Sequence, residues 1–329
     1  MGVAPGSKVV MLAGGTGGAK LARGMLDVVG PDELVVIANT GDDIDIYGAH
    51  VSPDPDLVSF WLADEIDERG WGLRDDTFAV MDALRALGHD VWFNLGDRDL
   101  AWCLERRRLI EQGLRPTEAL ARLNEAIGVR VPVLPMSDEP QPTWVRTDAG
   151  WRDFQHFMIR ERAEGRVREV AFGPNPDADP AAPDRRAAAA RPTPEALAAL
   201  AGARAVIVGP SNPVISIWPI LSALGGALAD QAAPVVCVSP IVGGAVVKGP
   251  TAAFLAAYEQ PPSAGGVAAF YERVAPGLLD GIVADEPVAE VTSRELDTMM
   301  ADDGARAWVA EQTLAFAESI SPRHDEGVR

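Results

Sequence analysis

Near the N-terminus the sequence runs Val9-Val10-Met11-Leu12-Ala13-Gly14-Gly15-Thr16-Gly17-Gly18-Ala19-Lys20-Leu21, and this stretch constrains the fold more than any other. A short apolar run of this kind forms a buried strand. It stops at glycines and a threonine, and a helix-compatible segment follows. A strand ending in such a turn aims backbone N–H groups and a helix N-terminus at one point, which suits a phosphate or another anion. Two familiar glycine motifs do not fit. A dinucleotide fingerprint started at Gly15 needs glycine where Lys20 stands, and Ala19-Lys20-Leu21 does not supply the Gly-Lys-Ser/Thr of the ATPase loop.

Further apolar runs at 34–38, 91–95, 129–134, 205–208, 235–238 and 281–284 read as strands. Residues 21–28, 57–66, 75–87, 100–112 and 117–127 read as helices, with Thr117 as a cap and Glu118 in the first turn. Residues 143–147, a turn at 148–150 and residues 151–157 read as a hairpin. Strands alternating with helices predict an α/β fold: a Rossmann-like, three-layer α/β/α arrangement on an open, mostly parallel sheet, with helical and hairpin insertions. The expectation is a single α/β domain over residues 1–329, interrupted at 174–194 by a Pro/Ala-rich loop or linker unable to form a core.

The formal net charge of -19 argues against a chain that grips nucleic acid or an anionic membrane by general electrostatics. A phosphate site here must use backbone donors, a few basic residues or a bound cation. Cys103 and Cys237 are the two cysteines, without metal-ligand spacing, which fits a reducing compartment. With neither a signal-peptide pattern nor a long apolar segment, the expected location is cytoplasmic.

Four predicted strand ends carry loops rich in Gly, Pro, Ser or Asn: the glycine loop, 39–45, 209–213 and 239–244. In an open α/β sheet, ligands collect at these ends. The second and its successor hold Asp42, Asp43, Asp45, Asp54 and Asp56, the oxygen-rich setting in which Mg²⁺ is held beside a phosphate. Gly96-Asp97-Arg98-Asp99 presents a guanidinium that is either an internal ion pair or pre-oriented for an anion. Arg160 and Lys248 are further cations, and His156 stands in an aromatic stretch where a structural role is the commoner one.

Taken together these motifs, with Ser52-Pro53-Asp54-Pro55-Asp56, Gly70-Trp71-Gly72, Leu134-Pro135-Met136-Ser137-Asp138, Gly209-Pro210-Ser211-Asn212-Pro213 and Ser239-Pro240-Ile241-Val242-Gly243, follow one another as in a known family. From about residue 9 to about residue 317 the chain resembles the 2-phospho-L-lactate transferase family (CofD/FbiA) of coenzyme F-420 biosynthesis. The resemblance implies an Mg²⁺-dependent transfer of a phospho-acid from its guanosine diphosphate-linked donor to the deazaflavin Fo, with release of GMP. It also implies a guanylyltransferase that supplies the donor, and a homodimer.

Carried onto this sequence, the resemblance puts Gly14, Gly15, Thr16 and Gly17 on the diphosphate, and Ser211, Asn212, Pro213, Pro240 and Ile241 around the guanosine. It makes Asp43, Asp56 and Arg98 catalytic and Asp42, Asp43 and Asp56 metal ligands, and adds Asn39, Asp54 and Asn94 to the substrate site. Family members tend to read Ala-Thr-His-Leu and Phe-Gln-Glu where this chain has Ala101-Trp102-Cys103-Leu104 and Phe154-Gln155-His156. Cys103 and His156 are therefore the candidates for selecting among phospholactate, phosphoenolpyruvate and 3-phosphoglycerate. The competing reading is a non-enzymatic nucleotide-sugar-binding regulator of the gluconeogenesis-factor type. The motif at 96–99 and the loop at 52–56 speak against it.

Overall fold

The computed structural model describes residues 7–177, 190–246 and 249–320. Lys248 and most of the predicted 174–194 loop lie outside them. The chain lays out the strand Lys8–Ala13, the helix Gly15–Val29 and the strand Leu34–Ala38, and after a long insertion adds the strand Val133–Pro135. It then returns to the other side of the first strand with Ala203–Val208 and builds outward through Val235–Val238, Gly281–Ala284 and Ser293–Glu295. All six pairings in this seven-stranded sheet are parallel.

The first strand shows why so plain an apolar run is needed. Val9, Met11 and Ala13 face one layer, with the helices Gly15–Val29 and Asp303–Ser319. Val10 and Leu12 face the other, which includes Val214, Ile220 and Phe254. A parallel strand covered on both faces has no polar side, so its sequence cannot alternate.

Because the chain reverses direction across the sheet at the first strand, a crevice opens between the carboxyl ends of Lys8–Ala13 and Ala203–Val208. Two insertions roof it. One carries the hairpin of Ile44–Ile46 with Ala49–Val51 and the helices Pro53–Leu62, Ala79–Ala86, Asp97–Glu111 and Pro116–Ala126. The other is a three-stranded antiparallel sheet of Thr143–Thr147, Gly150–Asp153 and Glu169–Phe172.

Several sequence expectations shift. Residues 91–95 form no strand: Phe93 and Leu95 are buried as plugs of the core, so an apolar run here serves packing without sheet pairing. The hairpin's second strand ends at Asp153, and a π-helical turn, His156–Arg160, follows. The helix Pro116–Ala126 starts one residue before Thr117, with Glu118 reaching back to the Arg115 N–H at 2.9 Å. The edge strand Ser293–Glu295 was not foreseen, because three residues with a polar, exposed face carry no hydrophobic period.

Candidate functional site

The glycine loop works through close approach. Gly15 opens the first helix at φ +64, a conformation that side-chain-bearing residues rarely adopt. Gly17 packs so tightly on the 209–213 loop that a Cβ there would stand 2.0 Å from the Pro210 carbonyl oxygen. Gly17→Ala should therefore force the two strand ends apart, costing about 1–3 kcal/mol of stability and weakening any ligand held between them. Thermal denaturation with and without GDP measures both effects.

A cavity of about 350 Å³ occupies the crevice. Gly14, Gly15, Thr16, Gly17 and Lys20 form its floor, with Ser211, Asn212 and Pro240 from the neighbouring strand ends. Asp42, Asp54 and Phe154 line it too, and Thr298, Met299 and Met300 come from the C-terminal region. The helix Gly15–Val29 begins at this cavity, so the positive dipole end of its first turn favours an anion, and the Asp54 carboxylate already takes its Gly15 N–H. Asn212 is fixed by its own side chain: Oδ1 accepts from the Val214 N–H at 3.0 Å. Its Nδ2 is a buried donor with no partner among the described residues, on a residue that lines the cavity.

Asn39, at the end of the second strand, holds the acidic side of the cavity together. Its Oδ1 accepts from the Gly41 N–H at 2.8 Å, while Nδ2 donates to Asp54 at 2.9 Å and to Asp42 at 3.1 Å. Asp54 also takes the Gly15 N–H at 2.6 Å, which ties the aspartate loop to the glycine loop. The Gln155 amide donates to the Asp42 carbonyl at 2.8 Å. Burial, together with the Asp54 charge, raises Asp42 well above the usual carboxylate range, against the pull of the Asn39 hydrogen bond. Burial likewise pushes Asp54 to about 6.

A second cavity of about 490 Å³ is lined by other residues of the same turn that follows the second strand. Its wall includes Thr40, Asp43, His50, Arg106, Ser137 and Gln141. Asp43 accepts from the Ser52 hydroxyl at 2.7 Å and faces His50 Nε2 at 3.4 Å. Burial raises its pKa, although His50 and Ser52 pull the other way. His50 Nδ1 meets Asp45 at 2.8 Å; burial disfavours the charged imidazole, but its two carboxylate neighbours outweigh that and raise the pKa.

The structure gathers most of the sequence-derived site and relocates part of it. Gly14, Gly15, Thr16, Gly17, Ser211, Asn212, Pro240, Asp42 and Asp54 meet at the first cavity, and Asp43 at the second. Asp56, expected as a metal ligand, lies outside both cavities, buried under the helix Asp97–Glu111, where its carboxylate and the ligand atoms of Asp99 and Cys103 lie within 4.8 Å of one another, close enough to hold a metal ion. It is paired there with Arg106 and accepts from the Trp102 indole N–H at 2.7 Å. Its place at the first cavity belongs to Asp54, two residues earlier and about half a helical turn away. Asn39 lines neither cavity and acts by orienting the aspartates. Pro213 and Ile241 are buried behind Asn212 and Pro240 rather than lining the cavity.

Arg98 and Asn94 stand at the surface, outside both cavities. Arg98 donates to the Arg74 carbonyl and pairs with Glu65, while Asn94 accepts from Arg85. The ion pair of the Arg98 guanidinium is with Glu65, at the surface, and not with the flanking Asp97 or Asp99. Cys103 is buried between Asp56 and Asp99, where burial raises its thiol well above the usual range. His156 stacks on Trp92 at 4.3 Å and bonds to Asp153. Neither candidate for phospho-acid selection lines a cavity. Phe154 and Gln155, next to His156, are the residues of that segment that reach the site.

Mg²⁺ fits the donor set at the first cavity. Asp42 and Asp54 supply hard carboxylate oxygens within reach of one amide, and no salt bridge to either exists among the described residues. Buried carboxylates that crowd one another gain most from a shared cation.

Comparison with known proteins places the chain in a family. Residues 9–315 match the family described as 2-phospho-L-lactate transferase CofD. A phosphoenolpyruvate transferase of Kitasatospora aureofaciens is 38% identical over 335 residues, covering 95% of this chain and 98% of the relative. A 2-phospho-L-lactate transferase of Methanosarcina mazei is 35% identical over 279 residues, covering 84% and 87%. Among solved structures, a protein of the UPF0052 family from Bacillus halodurans superposes with a TM-score of 0.62 at 15% identity, over 95% of this chain and 100% of that one, and so shares the fold. No helix among the described residues is long and apolar enough to cross a membrane. With a family match from the first strand almost to the end of the last helix, this chain belongs to the 2-phospho-L-lactate transferase CofD family.

Proposed function

We propose that this transferase moves a phospho-acid from its guanosine diphosphate-linked donor to the terminal ribityl hydroxyl of Fo, releasing GMP and forming a phosphodiester. The observation that carries the reading is the first cavity, where a glycine loop and helix N-terminus meet two buried aspartates at the switch point of the sheet. The donor's diphosphate lies on the glycine loop, its guanosine toward Asn212 and Pro240, and its phospho-acid toward Asp42, Asp54 and Phe154. Asn212 Nδ2 can donate to the O6 carbonyl of guanine, whereas the amino group of adenine would meet it donor to donor.

Asp42 and Asp54 would hold Mg²⁺, whose chemistry is to neutralise charge on the diphosphate. Fo occupies the second cavity, which lies within the size range of small-molecule sites. Its hydroxyl attacks the phosphorus of the phospho-acid, the bridging P–O bond to GMP breaks, and Asp43 takes the hydroxyl proton. A buried carboxylate with a raised pKa is suited to that role. Catalysis then rests on alignment and charge stabilisation.

For the phospho-acid we favour phosphoenolpyruvate. The support is the near-complete coverage by relatives named phosphoenolpyruvate transferases, from Kitasatospora aureofaciens and from Streptomyces griseus. The test combines protein, Fo, GTP, Mg²⁺ and a guanylyltransferase of broad specificity with each phospho-acid in turn, and reads the product by mass. A phosphoenolpyruvate adduct is expected to dominate. A phospholactate or 3-phosphoglycerate adduct would correct the acid, and no Fo adduct with any of them would refute the reaction.

A further inference from the structure

The C-terminal segment 296–302 leaves the edge strand Ser293–Glu295 and reaches back to the first cavity. It is anchored at both ends: the Leu296 N–H donates to the Ala284 carbonyl at 2.9 Å, and Asp302 caps the last helix by accepting from the Ala305 N–H at 2.8 Å. Between these anchors Lys20, the residue at which the glycine fingerprint fails, donates to the Met300 carbonyl at 3.5 Å. Thr298 sits at the cavity wall, 4% exposed, and its hydroxyl has no hydrogen-bond partner among the described residues. A buried hydroxyl left unpaired is costly, and a polar wall of a ligand cavity is where a ligand atom can satisfy it.

The cavity has two chemically different ends. On the side of the second strand stand Asp42 and Asp54, suited to a cation and a phosphorylated acid; the diphosphate cradle is at the first strand. Thr298 follows the opposite edge strand and is accompanied by Met299 and Met300, whose soft thioethers suit the face of a base. We propose that Thr298 is a specificity-determining residue for the nucleoside half of the donor, its hydroxyl bonding the base edge or ribose. The segment 296–302 is then a wall of the nucleotide site. The proposal rests on the donor reading of this cavity.

Calorimetric titration of the purified chain with GDP and, separately, with inorganic diphosphate tests it. Thr298→Val keeps the shape and removes the hydroxyl, and should weaken GDP about five- to tenfold while diphosphate binding stays unchanged. Thr298→Ser should bind GDP like the unsubstituted chain. Equal GDP affinity in Thr298→Val overturns the proposal, as does a parallel loss of GDP and diphosphate, which would mark a merely structural residue. If the unsubstituted chain binds no GDP, the donor reading itself fails and this inference falls with it.

Discussion

Asp54→Asn should lower kcat by about two to three orders of magnitude and leave the fold intact. The carboxylate does two things. It accepts hydrogen bonds from the Gly15 N–H and from Asn39, and it places charge beside Asp42 at the floor of the donor cavity. Asparagine retains an acceptor for the Gly15 N–H and removes the charge. Stability should rise rather than fall. Asp54 titrates at about 6 in the folded chain because burial disfavours its charge, against an ordinary value of 3.8. A carboxyl raised in this way makes the folded state lose stability as pH climbs from about 4 to about 6, after which the loss is constant. In EDTA at pH 8 the unsubstituted chain bears that full cost and the variant bears none. That cost is about 3 kcal/mol. The asparagine gives back about 1–2 kcal/mol because its amide nitrogen cannot accept from Asn39 Nδ2. The variant should thus be more stable by about 1–2 kcal/mol, and the gap should shrink as pH falls below 6. Steady-state transfer to Fo and chemical denaturation at pH 8 and pH 5 measure the two halves. Full activity in the variant would remove Asp54 from the chemistry, and a large loss of stability would make it structural.

The contrast with Asp56 shows how far the sequence could be read. The glycine loop, the order of strands and the loops at their carboxyl ends are written in local patterns, so the crevice and its floor were legible. The choice between two aspartates two residues apart was not. Both lie in the first turn of the helix Pro53–Leu62, and only its rotation, set by packing on the first helix, sends Asp54 to the cavity and Asp56 inward. The partner that claims Asp56 is Arg106, from a run of three arginines that reads as a solvated helix face. Arg107 and Arg108 do pair with acidic groups at the surface, and Arg106 is buried only because its helix lies over the hairpin of residues 44–51. Thr298 was equally silent, since a lone hydroxyl between methionines has no period or spacing to betray it. The surface placement of Arg98 depends on a backbone carbonyl, Arg74, and on Glu65, neither of which the motif at 96–99 announces.

Asp56→Asn is expected to act on stability where Asp54→Asn acts on rate. Arg106 and Asp56 are 2% and 5% exposed at their side chains, and the guanidinium approaches both carboxylate oxygens while also donating to the His50 carbonyl at 3.0 Å. Neutralising the aspartate strands a buried guanidinium, a loss of about 3–5 kcal/mol, or about 4–7 °C in the thermal midpoint for a chain of this size. The same loss should loosen the strand Ala49–Val51 and with it the His50 ring that faces Asp43, so Fo should bind more weakly than GDP does. A companion change separates this account from metal binding. Arg106→Met in the Asp56→Asn background removes the stranded charge and should recover much of the lost stability, because losing both charges of a buried pair costs far less than losing one. A metal ligand would behave otherwise: Asp56→Asn would leave the thermal midpoint in EDTA unchanged, abolish the response to Mg²⁺, and gain nothing from the second substitution.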